Sequence, residues 1–255
     1  MSERVLAELQ GGILTATLNR PEKRNAIDAP MIDELLALLE RADLDAQVRV
    51  VAVRGAGRDF CAGMDLNELL ASADKTVDEN RRVALHFAEI FLRMRQLPKP
   101  IVALVRGRAL AGGCGLATAC DLVLAAESAQ FGYPEVQRGF VPAIVLTLLK
   151  RATGEKVAFD LAATGRTLTA TEAAASGLVS RVYEDSDFEE QAADVLRGLT
   201  AASASALAFT KQQFYQLDGL GFEDGIRLGA DVNAVSRTTP DFRAALQAFL
   251  KKAGT

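Results

Sequence analysis

Histidine occurs once in these 255 residues, at His86, and cysteine only three times, at Cys61, Cys114 and Cys120. The lone histidine lies among Leu85, Phe87 and Ile90 in a helical pattern, so it reads as a structural or surface residue. A Ser/His/Asp triad would have to use it, and the chain has no Gly-x-Ser-x-Gly elbow. Metal binding by clustered His, Cys and carboxylate lacks ligands. Three cysteines are an odd number in a long chain, which argues against a disulfide framework and for a reducing compartment. Cys114 follows two glycines, but no His or Lys lies nearby in sequence to activate it, so it reads as packing. No basic run exceeds two or three residues and the net charge is −4, which leaves nucleic acid no electrostatic footprint. No apolar run approaches the roughly 20 residues that span a bilayer, and no charged-then-apolar leader opens the chain. The expectation is a soluble cytoplasmic protein without nucleic-acid, membrane or metal partners.

Two nucleotide motifs also fail. Gly55-Ala-Gly57 follows a strand-like run, but Phe60 stands where the dinucleotide fingerprint needs its third glycine. Gly107 to Gly112 has phosphate-loop spacing, yet Gly113 replaces the lysine.

What is present is a large apolar fraction, 49%, enough to bury one full core. Val5–Leu9 and Ile13–Leu18 flank Gly11-Gly12, a hairpin signal. Asp28 can cap a helix carrying Pro30 in its first turn and an apolar stripe of Ile32, Leu35, Leu36 and Leu39. Val48–Val53 predicts a strand, and a helix is expected to start near Asp65. After polar residues 71–79 comes a long helix over Asn80–Leu97, ended by Pro98 and Pro100. Strand Ile101–Val105, helix Gly113–Ala119 and strand Leu122–Ala125 follow. Beyond Phe140 strand candidates are few. Thr169-x-x-Glu172 is a capping box, and four alanine-rich helical segments run from Phe188 to Lys252. The division is an α/β region over 1–190 and a helical region over 191–255.

Glycines at 112, 113 and 115 follow the run Ile101–Val105 and open a helical segment. Close backbone approach there, with unpaired N–H groups in a helix's first turn, is hardware for a negatively charged oxygen. Phe60-Cys-Ala-Gly-Met-Asp-Leu66 has the same strand–turn–helix form. Two such turns, each aiming one N–H at a shared point, make an oxyanion hole. Carboxylates remain the only acid–base candidates. Glu135 is placed suggestively, with Pro134 fixing its backbone and Phe131, Tyr133 and Val136 offering apolar surroundings that raise a carboxyl pKa. A surface loop glutamate is the other reading of that segment. Arg138 beside it has two readings, a partner for Glu135 or for an acidic acyl group.

The ordered motifs Asn19-Arg-Pro-Glu-Lys-Arg-Asn25, Phe60–Leu66, Ala109-Leu-Ala-Gly-Gly-Cys114, Phe131-Gly-Tyr-Pro-Glu135, Thr164-Gly-Arg and Ala173–Val179, with the ending Phe249-Leu-Lys-Lys252, resemble the crotonase superfamily of enoyl-CoA hydratases and isomerases. The resemblance implies a crotonase-type α/β spiral of ββα units with a C-terminal helical trimerisation region. It implies that the Met64 and Gly112 N–H groups hold a thioester oxygen as it gains enolate charge, with Glu135 as the catalytic carboxyl group. Coenzyme A, as part of an acyl-CoA substrate and not as a prosthetic group, would lie along Arg24 and the backbone around Ala26, Ala62 and Asp65. Lys252 of a neighbouring subunit would reach its phosphates, in a homotrimer or a dimer of trimers.

One departure from the family pattern matters. Gly115 stands where family hydratases usually carry a second glutamate. Hydration of a 2-enoyl-CoA, in fatty-acid or related acyl-CoA metabolism, is the first expectation. Isomerisation of a 3-enoyl-CoA with Glu135 as single proton shuttle is the second. A coenzyme A-binding family member without hydratase activity is the third.

Overall fold

The computed structural model describes residues 3–253, with side chains through Lys251. Strands β1 (Val5–Gln10) and β2 (Ile13–Leu18) form the expected antiparallel hairpin. Its two-residue turn has φ of 57° at Gly11 and 81° at Gly12, the doubly positive geometry that matches strand twist and that side chains resist. Helix α1 (Ala29–Leu44) starts as its sequence dictates, with the Asp28 carboxylate accepting from the Met31 N–H at 3.1 Å.

The chain then repeats one movement. Strand β3 (Val50–Gly55) is followed by an isolated bridge residue, Cys61, and then by helices α2 (Leu66–Ala71) and α3 (Val77–Gln96). Strand β4 (Ile101–Val105) leads to short β5 (Arg108–Leu110) and helix α4 (Gly112–Thr118). Strand β6 (Leu122–Ala126) leads to short β7 (Gln130–Gly132), a 3₁₀ turn over Pro134–Arg138, and helices α5 (Ala143–Thr153) and α6 (Glu155–Thr164). Each turn adds one strand to a large sheet and one short segment to a small one. Strand β8 (Thr167–Thr169), helix α7 (Ala170–Ala175) and strand β9 (Arg181–Tyr183) complete both sheets. The large sheet runs β1-β2-β3-β4-β6-β9, parallel from β2 onward; the small sheet runs β5-β7-β8, with Cys61 bridged in parallel to Ala109. Helices α8 (Phe188–Ala201), α9 (Ala204–Gln216), α10 (Phe222–Ser236) and α11 (Pro240–Ala253) follow.

Parallel strands need cover on both faces. Along β3, Val51 and Val53 join the main core under α1 and α3, while Val50 and Ala52 join a second core closed by Phe188, Ala192 and Leu196 of α8. Among the described residues no helix is long and apolar enough to cross a membrane.

Some boundaries moved. Helix α3 begins at Val77, not Asn80, because Thr76 and Glu79 form a capping box inside the polar stretch. Helix α4 begins at Gly112, one residue early. The three-residue strands β5, β7, β8 and β9 were not expected, since segments so short carry no readable alternation.

Candidate active site

The site lies where two successive turns of the spiral abut. The segment after β3 is pinned by Asn25, whose side chain is fully buried: its Nδ2 donates to the Ala56 and Asp59 carbonyls at 2.9 and 2.8 Å. Cys61 then joins the small sheet, its N–H donating to the Arg108 carbonyl and its carbonyl accepting from Leu110. Gly63 (φ 96°) turns the chain, and Met64 bridges Ile27. In that bridge the Gly63 carbonyl accepts from Ile27 N–H and the Asp65 N–H donates to the Ile27 carbonyl, both at 2.8 Å. Flanking groups that face Ile27 leave the Met64 N–H pointing the opposite way, because strand amides alternate sides.

On that opposite side is the start of α4. A Cβ added to Gly63 would lie 3.2 Å from the Gly112 nitrogen and 2.8 Å from the Ala111 Cβ, so only glycine lets the two turns come this close. Ala111 has φ 52° and ψ −128°, a strained left-handed conformation, and its own N–H is held by the Gly132 carbonyl at 2.8 Å. That strain sets the direction of the next amide, Gly112. Among the described residues neither the Met64 nor the Gly112 N–H donates to a protein acceptor. Phe87 of α3 closes the far side, its ring 3.2 Å from where a Gly112 Cβ would sit.

Glu135 comes from the 3₁₀ turn that follows β7. It is 7% exposed, and its Oε2 is buried without a hydrogen-bond partner. Burial pushes its carboxyl above the usual glutamate range, against smaller opposing pulls from its own backbone N–H and the Arg138 charge. The segment just before Glu135 is tied to α4 and the residue ahead of it, through the Gly132 carbonyl on Ala111 N–H and the Tyr133 hydroxyl on Thr118 Oγ1, both at 2.8 Å. Cys114 itself is inert, because burial drives its thiol to about 12. Tyr133 is fully buried and its hydroxyl lies 2.8 Å from Thr118 Oγ1, so it is a wall of the site and not a free proton donor.

The second-glutamate position is closed. A Cβ on Gly115 would lie 2.1 Å from Val145 Cγ1 and 2.7 Å from Val145 Cβ, and Val145 is 3% exposed. The space for a side chain at 115 is filled by carbon from α5.

The segment expected along coenzyme A is contiguous but largely committed to itself. Arg24 is left-handed (φ 51°), with its side chain 60% exposed near Asp59. The Ala62 N–H donates to the Arg24 carbonyl and the Ala26 carbonyl accepts from Arg20 Nη1 at 2.6 Å. The Asp65 carboxylate caps α2 through Asn67 N–H and pairs with Arg20 at 2.8 Å; those bonds hold it below the usual carboxylate range although burial opposes them. Among these groups the Arg24 side chain and the Ala62 carbonyl are free of protein hydrogen bonds among the described residues. The Lys252 side chain lies outside the described residues. Sequence reading missed Arg20 as the buried anchor of this segment and Val145 as the plug. Arg20 was legible as the first cation of the 19–25 motif, whereas nothing local marks Val145.

A model of the family described as enoyl-CoA hydratase/isomerase matches residues 8–254. A Thermus thermophilus protein that carries the name enoyl-CoA hydratase is 42% identical over 243 residues, 95% of this chain and 96% of that one. A 1,2-epoxyphenylacetyl-CoA isomerase of Escherichia coli is 32% identical, over 99% of this chain and 97% of its own length. The crystal structure of a Mycobacterium smegmatis enoyl-CoA hydratase superposes with a TM-score of 0.94 at 28% identity, covering 98% of this chain and 97% of that one. The fold is the crotonase spiral expected from the motifs.

Proposed function

The chain belongs to the enoyl-CoA hydratase/isomerase family and is an enzyme of that family, and from that premise we propose that it hydrates a 2-enoyl-CoA using one carboxyl group, Glu135. The observation that carries this reading is the buried, unpartnered Glu135 Oε2 on the turn that follows β7, together with two uncommitted N–H groups, those of Met64 and Gly112, where two neighbouring turns touch.

In this reading the thioester oxygen sits between the two amides. As the water oxygen bonds to the β-carbon, the Glu135 carboxylate takes the water's proton and the thioester becomes an enolate. The same carboxyl group then delivers that proton to the α-carbon, which restores the thioester. The amides are worth most when the oxygen is charged; one lost donor of this kind costs roughly 3 kcal/mol of barrier. The raised pKa of Glu135 suits both halves of the cycle, since a group that must accept and return a proton works best near the operating pH.

Isomerisation is the second reading, and the plugged position at Gly115 favours it. There Glu135 removes a proton from the α-carbon of a 3-enoyl-CoA and returns it to the γ-carbon, with the dienolate held by the same amides. No water need be gripped. Coenzyme A would lie along Arg24 and the Ala62 carbonyl, and a homotrimer or dimer of trimers would cover the apolar faces of the terminal helices.

Incubation with crotonyl-CoA, and separately with a 3-enoyl-CoA, in deuterated water separates these readings. A hydratase forms 3-hydroxybutyryl-CoA; an isomerase carries label into the 2-enoyl product without adding water. Absence of both products leaves a coenzyme A-binding protein without turnover and overturns the reading.

A further inference from the structure

We propose that Arg138 selects acyl-CoA substrates whose acyl chain ends in a carboxylate. The inference rests on the site described above, because it takes Glu135 as the group that faces the reacting carbons.

In a 3₁₀ turn residues three apart eclipse one another, and three residues advance roughly 6 Å along the axis. Arg138 therefore stands on the same face of the Pro134–Arg138 turn as Glu135, one turn further on. The two do not form an ion pair. Glu135 Oε2 keeps no partner, and Arg138 Nη1 donates instead to the Pro134 carbonyl at 3.3 Å. Among the described residues no carboxylate lies within salt-bridge distance of Arg138. Arg138 is an exposed residue, and among the described residues its other N–H groups donate to no protein acceptor. Its neighbours Val136, Phe140 and Val141 present apolar surface, 42–60% exposed.

A cation flanked by exposed apolar side chains, one 3₁₀ turn from the proton carrier, fits a substrate that is apolar near the thioester and anionic at its far end. Arginine offers a planar fork that fits a carboxylate with two parallel bonds. A monothioester of a short dicarboxylic acid has this form, with its thioester oxygen at the amides, its α- and β-carbons at Glu135 and its free carboxylate at Arg138.

Binding of saturated, unreactive pairs matched in length tests the assignment: glutaryl-CoA against pentanoyl-CoA, and adipyl-CoA against hexanoyl-CoA, by titration calorimetry. The parent protein is expected to bind the acid member of at least one pair about tenfold more tightly, a gain typical of one charge-assisted contact. Arg138→Met abolishes that preference and Arg138→Lys keeps part of it, a graded rescue that a merely structural role does not give. Equal binding within both pairs, or a preference unchanged in Arg138→Met, overturns the assignment. Preference without turnover of the matching 2-enoyl esters keeps the carboxylate site and rejects hydration, so the two failures are distinguishable.

Discussion

At the scale of single residues, the site depends on what three positions refuse. Gly63 refuses a side chain so that two turns can touch, Ala111 accepts strain so that the next amide is free, and Gly115 has no room because Val145 is there. Gly115→Ala is expected to destabilise the fold by about 1–3 kcal/mol through overpacking. Val145→Ala in the same chain should recover part of that loss, a non-additivity that urea denaturation of the single and double variants reads directly. Glu135 carries a second consequence. Its folded-state pKa lies above its unfolded value, so the stability of its protonated form is fully present below the unfolded pKa, about 4.3, and is lost as pH rises through the raised one. Glu135→Gln should therefore gain stability relative to the parent as pH rises through that window, with the two converging in acid. The same pKa sets the acid limb of kcat/KM above the ordinary glutamate range. Arg138→Met removes a charge that lowers it, so the limb should move to higher pH; a limb that stays put or moves down contradicts the coupling. The burial of Glu135 was legible from Pro134 and its apolar neighbours, and Gly115 from the motif. The Val145 plug was not, because a contact between residues thirty apart on two helices leaves no local pattern.

At the scale of elements, helix ends were the most readable part of the chain. Asp28, Thr169 and Glu172 act as their spacing dictates, whereas the equivalent Thr76–Glu79 box lay hidden in a stretch read only as polar. Thr76→Ala should cost about 1 kcal/mol in equilibrium unfolding, the usual worth of such a cap. The small sheet was unreadable, since β5, β7 and β8 are three residues each and form only because neighbouring turns of the spiral align them. How α9 is fixed also escaped sequence reading. Lys211 on α9 is 8% exposed, pairs with Asp121 at 2.7 Å, and donates to the Met94 and Lys99 carbonyls at 2.9 and 3.0 Å. Tyr215, one turn on, donates to the other Asp121 oxygen at 2.7 Å. Breaking a buried pair from one side leaves the other charge uncompensated, so Lys211→Met should destabilise by about 3–5 kcal/mol. A loss below 1 kcal/mol would mean that α9 is held by other contacts.

At the scale of the whole molecule, the spiral explains how segments far apart in sequence contribute to the proposed site. Each turn delivers a strand to one sheet, a short segment to the other and then a helix, so residues 64, 112 and 135 come from successive turns, and the backbones at 63 and 112 touch. The ordered motifs made this fold legible, whereas composition alone pointed only to one full core and the alternation of strands and helices to an α/β region. The terminal helices leave apolar surface uncovered: Phe222 is 88% exposed and Ile226 62%, beside a groove of about 490 Å³ between α9 and α10. Assembly into trimers predicts a sedimentation mass of three or six chains, reduced to one by Phe222→Asp with Ile226→Asp; a monomeric parent contradicts it. The central claim is that the lone Glu135 carboxyl group moves protons at a thioester enolate held by two amides. Exchange of the α-hydrogens of butyryl-CoA in deuterated water, followed by mass spectrometry, measures that step without water addition or bond migration. The account predicts steady exchange by the parent protein and a loss of about 10²–10⁴-fold in Glu135→Gln, with butyryl-CoA affinity nearly unchanged. Exchange at the parent rate in Glu135→Gln would contradict it.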